Sequence, residues 1–204
     1  MPILSRRGLT LPLILGVAAL LSGCVLPEQL DADIVMKGYS YDAALEGRLA
    51  EPRTVGAIAK GQAIPPNHDA DLKKQEAGGL ALPGMTRFAY VGEGRYDFAM
   101  KVNGELTEAA PVVGFPDARG SNNNFLTIRR QQDGAVVISS PEVPAQALAD
   151  LNEVGLRASG KISIEFDGKV IESNADDQPA NGPHVWNRTT WEDRVFLKFD
   201  PNGS

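Results

Sequence analysis

The chain has one cysteine, Cys24, and two histidines, His68 and His184. A single thiol closes no disulfide within the chain, so no covalent staple holds this fold. The two histidines lie far apart and lack the His-x-x-x-His spacing that sets two metal ligands on one helix face. There is no Gly-x-Ser-x-Gly elbow and no glycine-rich phosphate loop, so the hydrolase and nucleotide chemistries that depend on them have no carrier here. Basic residues are also scarce, 20 against 26 acidic ones for a formal net charge of −6, which argues against nucleic acid as a partner. Aromatics make up only 6% of the chain, whereas glycine and proline number 21 and 14. That balance implies many turns and short elements.

Two polar clusters have a metal reading and a plainer one. His68 with Asp69 and Asp71 could hold an ion, but acidic residues at this spacing more often begin a solvated helix. Asn174-Ala175-Asp176-Asp177-Gln178 offers oxygens to calcium without the distal acidic ligand or the glycine of an EF-hand loop, and reads as a polar loop. The expectation is a non-catalytic protein with no metal and no cofactor.

What the chain does have begins at its N-terminus. Arg6 and Arg7 precede an apolar run from Leu9 to Leu20, and Ser22-Gly23 supply small residues ahead of Cys24. This is the order of a secretory signal, and the run is too short to span a bilayer comfortably. Leu21-Ser22-Gly23-Cys24 resembles the lipobox of bacterial lipoprotein precursors. The resemblance implies cleavage between Gly23 and Cys24, a diacylglyceryl group on the Cys24 thiol and a third acyl chain on the new amino terminus. It also implies retention in the outer membrane, facing the periplasm, because Val25 rather than aspartate follows the cysteine. The alternative is an ordinary secretory signal followed by an unmodified thiol.

Each buried methylene of an acyl chain is worth about 0.8 kcal/mol, and two or more chains hold a protein stably where one does not. Loss of residues 1–23 removes Arg6 and Arg7 and no acidic residue, taking the net charge from −6 to −8. Lipid chains rather than charge must then supply the membrane affinity.

Beyond the signal, the sequence divides into a short tether, residues 24–30, and a single α+β domain, residues 31–204, with a loop-rich segment at about 51–84. Asn103-Gly104, Asp133-Gly134 and Asp167-Gly168 sit between β-prone runs and are predicted to be hairpin turns. Arg87–Val91 and Tyr96–Val102 are predicted strands, and Tyr96, Phe98, Met100 and Val102 share one face at period two. Phe125–Arg129, Ala135–Ser139, Ile162–Phe166, Lys169–Glu172 and Val195–Phe199 are further predicted strands, and Ile34–Tyr41 is the first. A helix is predicted from Pro144 to Val154, with proline in its first turn and Gly155 at its stop. A second, weakly docked helix is predicted for Asn67–Ala77, ended by Gly78-Gly79. Residues 51–66, 78–84 and 108–123 read as loops. The expected fold is a mainly antiparallel, curved sheet built from hairpins, with one or two helices packed on one face.

Trp186 and Trp191 are the only tryptophans and stand five residues apart in a polar segment. Either they pack into the core of the sheet, or one or both line a groove for an apolar or amphipathic ligand, with Arg188 or Arg194 meeting its polar head. From Ile162 onward the order of a strand, Gly168-Lys169-Val170, Glu172-Ser173-Asn174-Ala175, a variable loop and Trp186 resembles the C-terminal part of LppM-type lipoprotein domains. The resemblance implies a small α+β domain on a lipid anchor, and no catalytic residue. The chain departs from that pattern in a longer loop at Asp176–Pro183 and in the region between about 50 and 84. Two functions follow as expectations: an envelope protein that binds a lipid or other amphiphile in a cleft, or an adaptor that docks on an envelope protein.

Overall fold

The computed structural model describes residues 25–116 and 124–203. Gly23, Cys24 and the rest of the lipobox lie outside the described residues, as do Ser121-Asn122-Asn123.

In chain order the elements are β1 (Leu26–Lys37), β2 (Ser40–Ala50), α1 (Pro52–Ala59), α2 (His68–Lys74), α3 (Glu76–Leu80), β3 (Met85–Gly92) and β4 (Arg95–Glu105). They continue with β5 (Val112–Phe115), β6 (Leu126–Arg130), β7 (Val136–Ser139), α4 (Ala145–Glu153), β8 (Gly160–Phe166), β9 (Lys169–Ser173), β10 (His184–Arg188) and β11 (Phe196–Asp200). The fold is α+β. The strands form a six-stranded sheet, β10-β8-β1-β2-β4-β3, and a five-stranded sheet, β5-β6-β7-β11-β9. All the neighbours pair antiparallel except β1 and β8.

Period-two alternation decides how the sheets cover each other. On β4, Tyr96, Phe98 and Met100 are buried as the sequence predicts, and Val102 packs beside them half-buried. Their face joins Ile34 and Leu45 of the larger sheet to Ile128, Ile138, Leu197 and Phe199 of the smaller one in a single core. Burying each such side chain is worth about 1.5–3 kcal/mol, so this face-to-face contact dominates the fold's stability. Helices α2 and α3 cover the Tyr96 end of the same face, where Leu72 is buried and its carbonyl accepts a hydrogen bond from the Tyr96 hydroxyl at 2.9 Å.

Several expectations need correction. Asn103-Gly104 is not a turn: both residues lie inside β4, opposite Asp42 and Tyr41 of β2. A Cβ on Gly104 would lie 2.6 Å from the Tyr41 hydroxyl, so the glycine makes room for a cross-strand ring rather than bending the chain. Asp133-Gly134 does turn β6 into β7. Asp167-Gly168 also turns the chain, but β8 belongs to the larger sheet and β9 to the smaller, so no hairpin ladder forms across it. Gly168 has φ +130° with the Asp200 carbonyl 2.3 Å from its virtual Cβ, and the chain changes sheets at that close approach.

The 24–30 tether is in fact largely strand. Leu26 to Leu30 open β1, and Leu30 is fully buried. The predicted loops contain α1, the end of α3 and β5, and Gly78-Gly79 lie within α3 instead of ending a helix. The helix predicted from Pro144 is α4, with Pro144 as its N-cap residue.

Candidate functional site

At the end of the sandwich where β1 begins, α1, α4 and the β10–β11 connection enclose a second apolar cluster. Ala50, Val55, Leu151, Leu156, Ala158 and Trp191 are buried in it, with Leu26, Val143, Leu148 and Val154 packed alongside. Two local features place the helices. The Glu51 carboxylate caps α1 by accepting from the amides of Arg53 at 3.2 Å and Thr54 at 2.7 Å. Pro144, with its fixed φ, lets the chain leave the Ser140–Val143 connection directly into α4.

These helices do not close on each other completely. Between α4, the start of β1, the Ser140–Pro144 connection and Trp191 lies a cavity of about 400 Å³. Leu26, Val143, Leu151 and Trp191 make its apolar wall, and Phe125 and Asn124 close it from the start of β6. Its volume falls within the range of small-molecule sites, ~300–1,000 Å³. Val25, the residue bonded to Cys24, is part of its lining. The cavity therefore opens beside the point at which an acylated Cys24 would join the domain.

Arg188, at the end of β10, is the one cation among the described residues lining the cavity, and it is only 7% exposed. Its Nε donates to the backbone carbonyl of Asp193 at 3.2 Å, and it has no carboxylate partner among the described residues. Burial pushes the guanidinium pKa down, with the Asp193 charge opposing, yet arginine keeps its proton near neutrality. The Asp193 carboxylate accepts from the amides of Thr189 and Thr190 at 2.7 and 2.9 Å and from the Thr189 hydroxyl. Those bonds hold its own pKa down against desolvation. Asn124, on the same cavity, buries an Oδ1 with no hydrogen-bond partner among the described residues.

The four residues picked from sequence separate. Trp191 and Arg188 line the cavity, and the Trp191 indole donates to the Leu156 carbonyl at 3.1 Å. Arg194 does not line it; it is exposed and pairs with Glu142 at the rim at 3.3 Å. Trp186 is buried in the main core, and its indole donates to Asn174 Oδ1 at 2.7 Å. Sequence reasoning missed Leu26, Val143, Leu151 and Asn124. Pro141-Glu142-Val143-Pro144 immediately before a helix was the available signal for part of that wall.

The other polar clusters resolve into local structure. His68 Nε2 meets the Thr54 hydroxyl at 2.7 Å, Asp69 accepts from the Tyr90 hydroxyl, and Asp71 pairs with Lys74 at 2.7 Å. No three His, Cys, Asp or Glu side chains converge as metal ligands among the described residues. His184 is buried against the edge of Phe166, with Nδ1 3.1 Å from the Ser173 hydroxyl; burial lowers its pKa and Asp177 partly opposes that. Beside it a roomier hollow, about 550 Å³, is bounded by the polar Gln178–Gly182 loop. Water satisfies such a surface, so apolar burial there gains little.

No family model matches the chain, and no curated protein does. Among solved structures it is similar to the folded domain of Mycobacterium tuberculosis LppM, determined by NMR, with a TM-score of 0.40 and 17% identity over 84% of this chain and 88% of that one. Likeness at this level says nothing of what this chain binds. No helix among the described residues is long and apolar enough to cross a membrane.

Proposed function

We propose that this is a lipid-anchored protein of the bacterial envelope, held by acylated Cys24 at the periplasmic face of the outer membrane, with a non-catalytic domain that binds a lipid or other amphiphile. The observation that carries the reading is the cavity of about 400 Å³ with an aliphatic and indole wall and, among its described lining residues, a single buried cation, Arg188. A site of this composition favours a ligand with an apolar body and a polar end. Its position beside Val25 supports loading from the membrane to which Cys24 would be tied.

The experiment is native mass spectrometry on residues 24–204 carrying Cys24→Ser, recovered from a bacterial envelope extract. The strands and both apolar clusters lie within residues 25–203, so this chain retains the fold. A one-to-one lipid-sized adduct, lost when Ala147→Phe fills the cavity, is expected. A bare protein mass would remove the reading for the lipids in that extract. Labelling of the full precursor with radioactive palmitate, abolished by Cys24→Ser, checks the anchor separately.

A second reading, an adaptor that docks on an envelope protein, is favoured by one feature. Strand β9 is an edge of the smaller sheet, and its Val170 and Ile171 are exposed. Open edges of this kind invite pairing with another chain.

A further inference from the structure

We infer that the cavity ligand is an amphiphile whose head is an oxyanion, a carboxylate or a phosphate, seated on Arg188. This rests on the amphiphile-binding reading above and goes further by naming the head.

The head follows from charge complementarity. A buried charge is costly unless it is paired and hydrogen-bonded. Arg188 has five N–H donors, and among the described residues only Nε is used, on a neutral backbone carbonyl. Among the described residues lining the cavity, none offers the Nη donors a buried carboxylate: the two acidic ones, Glu142 and Asp150, are both exposed. Glu142 pairs with Arg194, and Asp150 accepts from Gln146 at 3.0 Å. An anion resting at the mouth meets these two carboxylates, whereas one that passes inside meets the guanidinium. The charge layout therefore seats an oxyanion deep and leaves neutral glycerol or sugar heads without the strong partner that Arg188 lacks. Planar guanidinium donors match carboxylate and phosphate oxygens in pairs, which lysine would not do.

The test is calorimetric titration of residues 24–204 with Cys24→Ser, using laurate, dodecyl phosphate and dodecanol below their aggregation concentrations. The three share a chain and differ in the head. The inference expects laurate or dodecyl phosphate, or both, to bind about 10- to 100-fold more tightly than dodecanol, the size of hydrogen bonds to a charged group. Whichever anion leads identifies carboxylate or phosphate as the source. Arg188→Met should bring the three within about threefold of one another. Equal affinity of all three for the unaltered site overturns the oxyanion seat while sparing the amphiphile cavity, and needs no folded Arg188 variant. Binding of none of them overturns both. Retention of the anion preference in Arg188→Met also overturns the assignment.

Discussion

Arg188 and Asp193 lie next to each other but do not form an ion pair. The Arg188 guanidinium donates to the Asp193 backbone carbonyl at 3.2 Å, while the Asp193 carboxylate turns away to the amides of Thr189 and Thr190 at 2.7 and 2.9 Å. The acid is consumed in holding the turn after β10, and the base is left facing the cavity. The cavity's preference for an anionic head depends on that division.

A buried cation kept for a ligand is a cost to the empty protein. Arg188→Met should therefore leave stability within ~1 kcal/mol of the original or raise it, because an apolar chain of similar volume replaces an unpaired charge. Urea unfolding measures this. A loss above ~3 kcal/mol would make Arg188 a structural group.

The two tryptophans should report differently. Trp191 lines the cavity and Trp186 does not. In a Trp186→Phe background, laurate or dodecyl phosphate should shift and intensify the remaining emission. In Trp191→Phe it should leave the emission unchanged. Trp186→Phe itself removes the hydrogen bond to Asn174 and should cost ~1–2 kcal/mol in thermal or urea unfolding, without altering ligand affinity.

Ala147 lies on α4, half-buried, with its side chain on the cavity. Ala147→Phe should fill that space, reduce amphiphile affinity at least tenfold and leave the melting temperature unchanged or higher, since the cavity is filled without displacing core atoms. Differential scanning calorimetry with and without dodecyl phosphate reads both effects.

His184 predicts a pH dependence. Its folded pKa is lowered by burial from the ordinary 6.5, so the unfolded chain takes up the proton first. Stability should be full above about pH 6.5 and fall as the pH drops from there toward the folded value, at up to ~1.4 kcal/mol per pH unit for one proton. His184→Gln should flatten urea midpoints between pH 7.5 and 5.5. An equally steep decline in the variant would assign the effect to other groups.

The legible parts of the fold were those with one wet face. Strand β4 alternates so cleanly that its buried residues can be named from sequence. Strand β2 escaped notice because the predicted first strand, Ile34–Tyr41, runs across the Gly38-Tyr39 turn into its first residues, and the remainder up to Ala50 carries few β-branched or aromatic side chains. Helix α1 hid behind Pro52 and Gly56, residues that suggest a loop; yet proline suits a first helical turn, and Gly56 lets the Val154 side chain approach to 3.1 Å of a virtual Cβ. The turn at Asp167-Gly168 was visible, but a turn does not say which sheet its second strand joins.

The site was half legible for the same reason. Arg188 and Trp191 stood out as a cation and an indole in a polar stretch, and the structure puts both on one cavity. Leu26, Val143 and Leu151 look like ordinary core residues, and only the topology brings them together.

The most direct test of the central claim is amide NMR of residues 24–204 with Cys24→Ser, titrated with dodecyl phosphate. The account predicts saturable shifts concentrated at Val25–Pro27, Ser140–Leu151 and Arg188–Trp191, with inorganic phosphate alone leaving them unmoved. Shifts confined to the β9 edge at Val170 and Ile171, or spread over the surface without saturation, would contradict it.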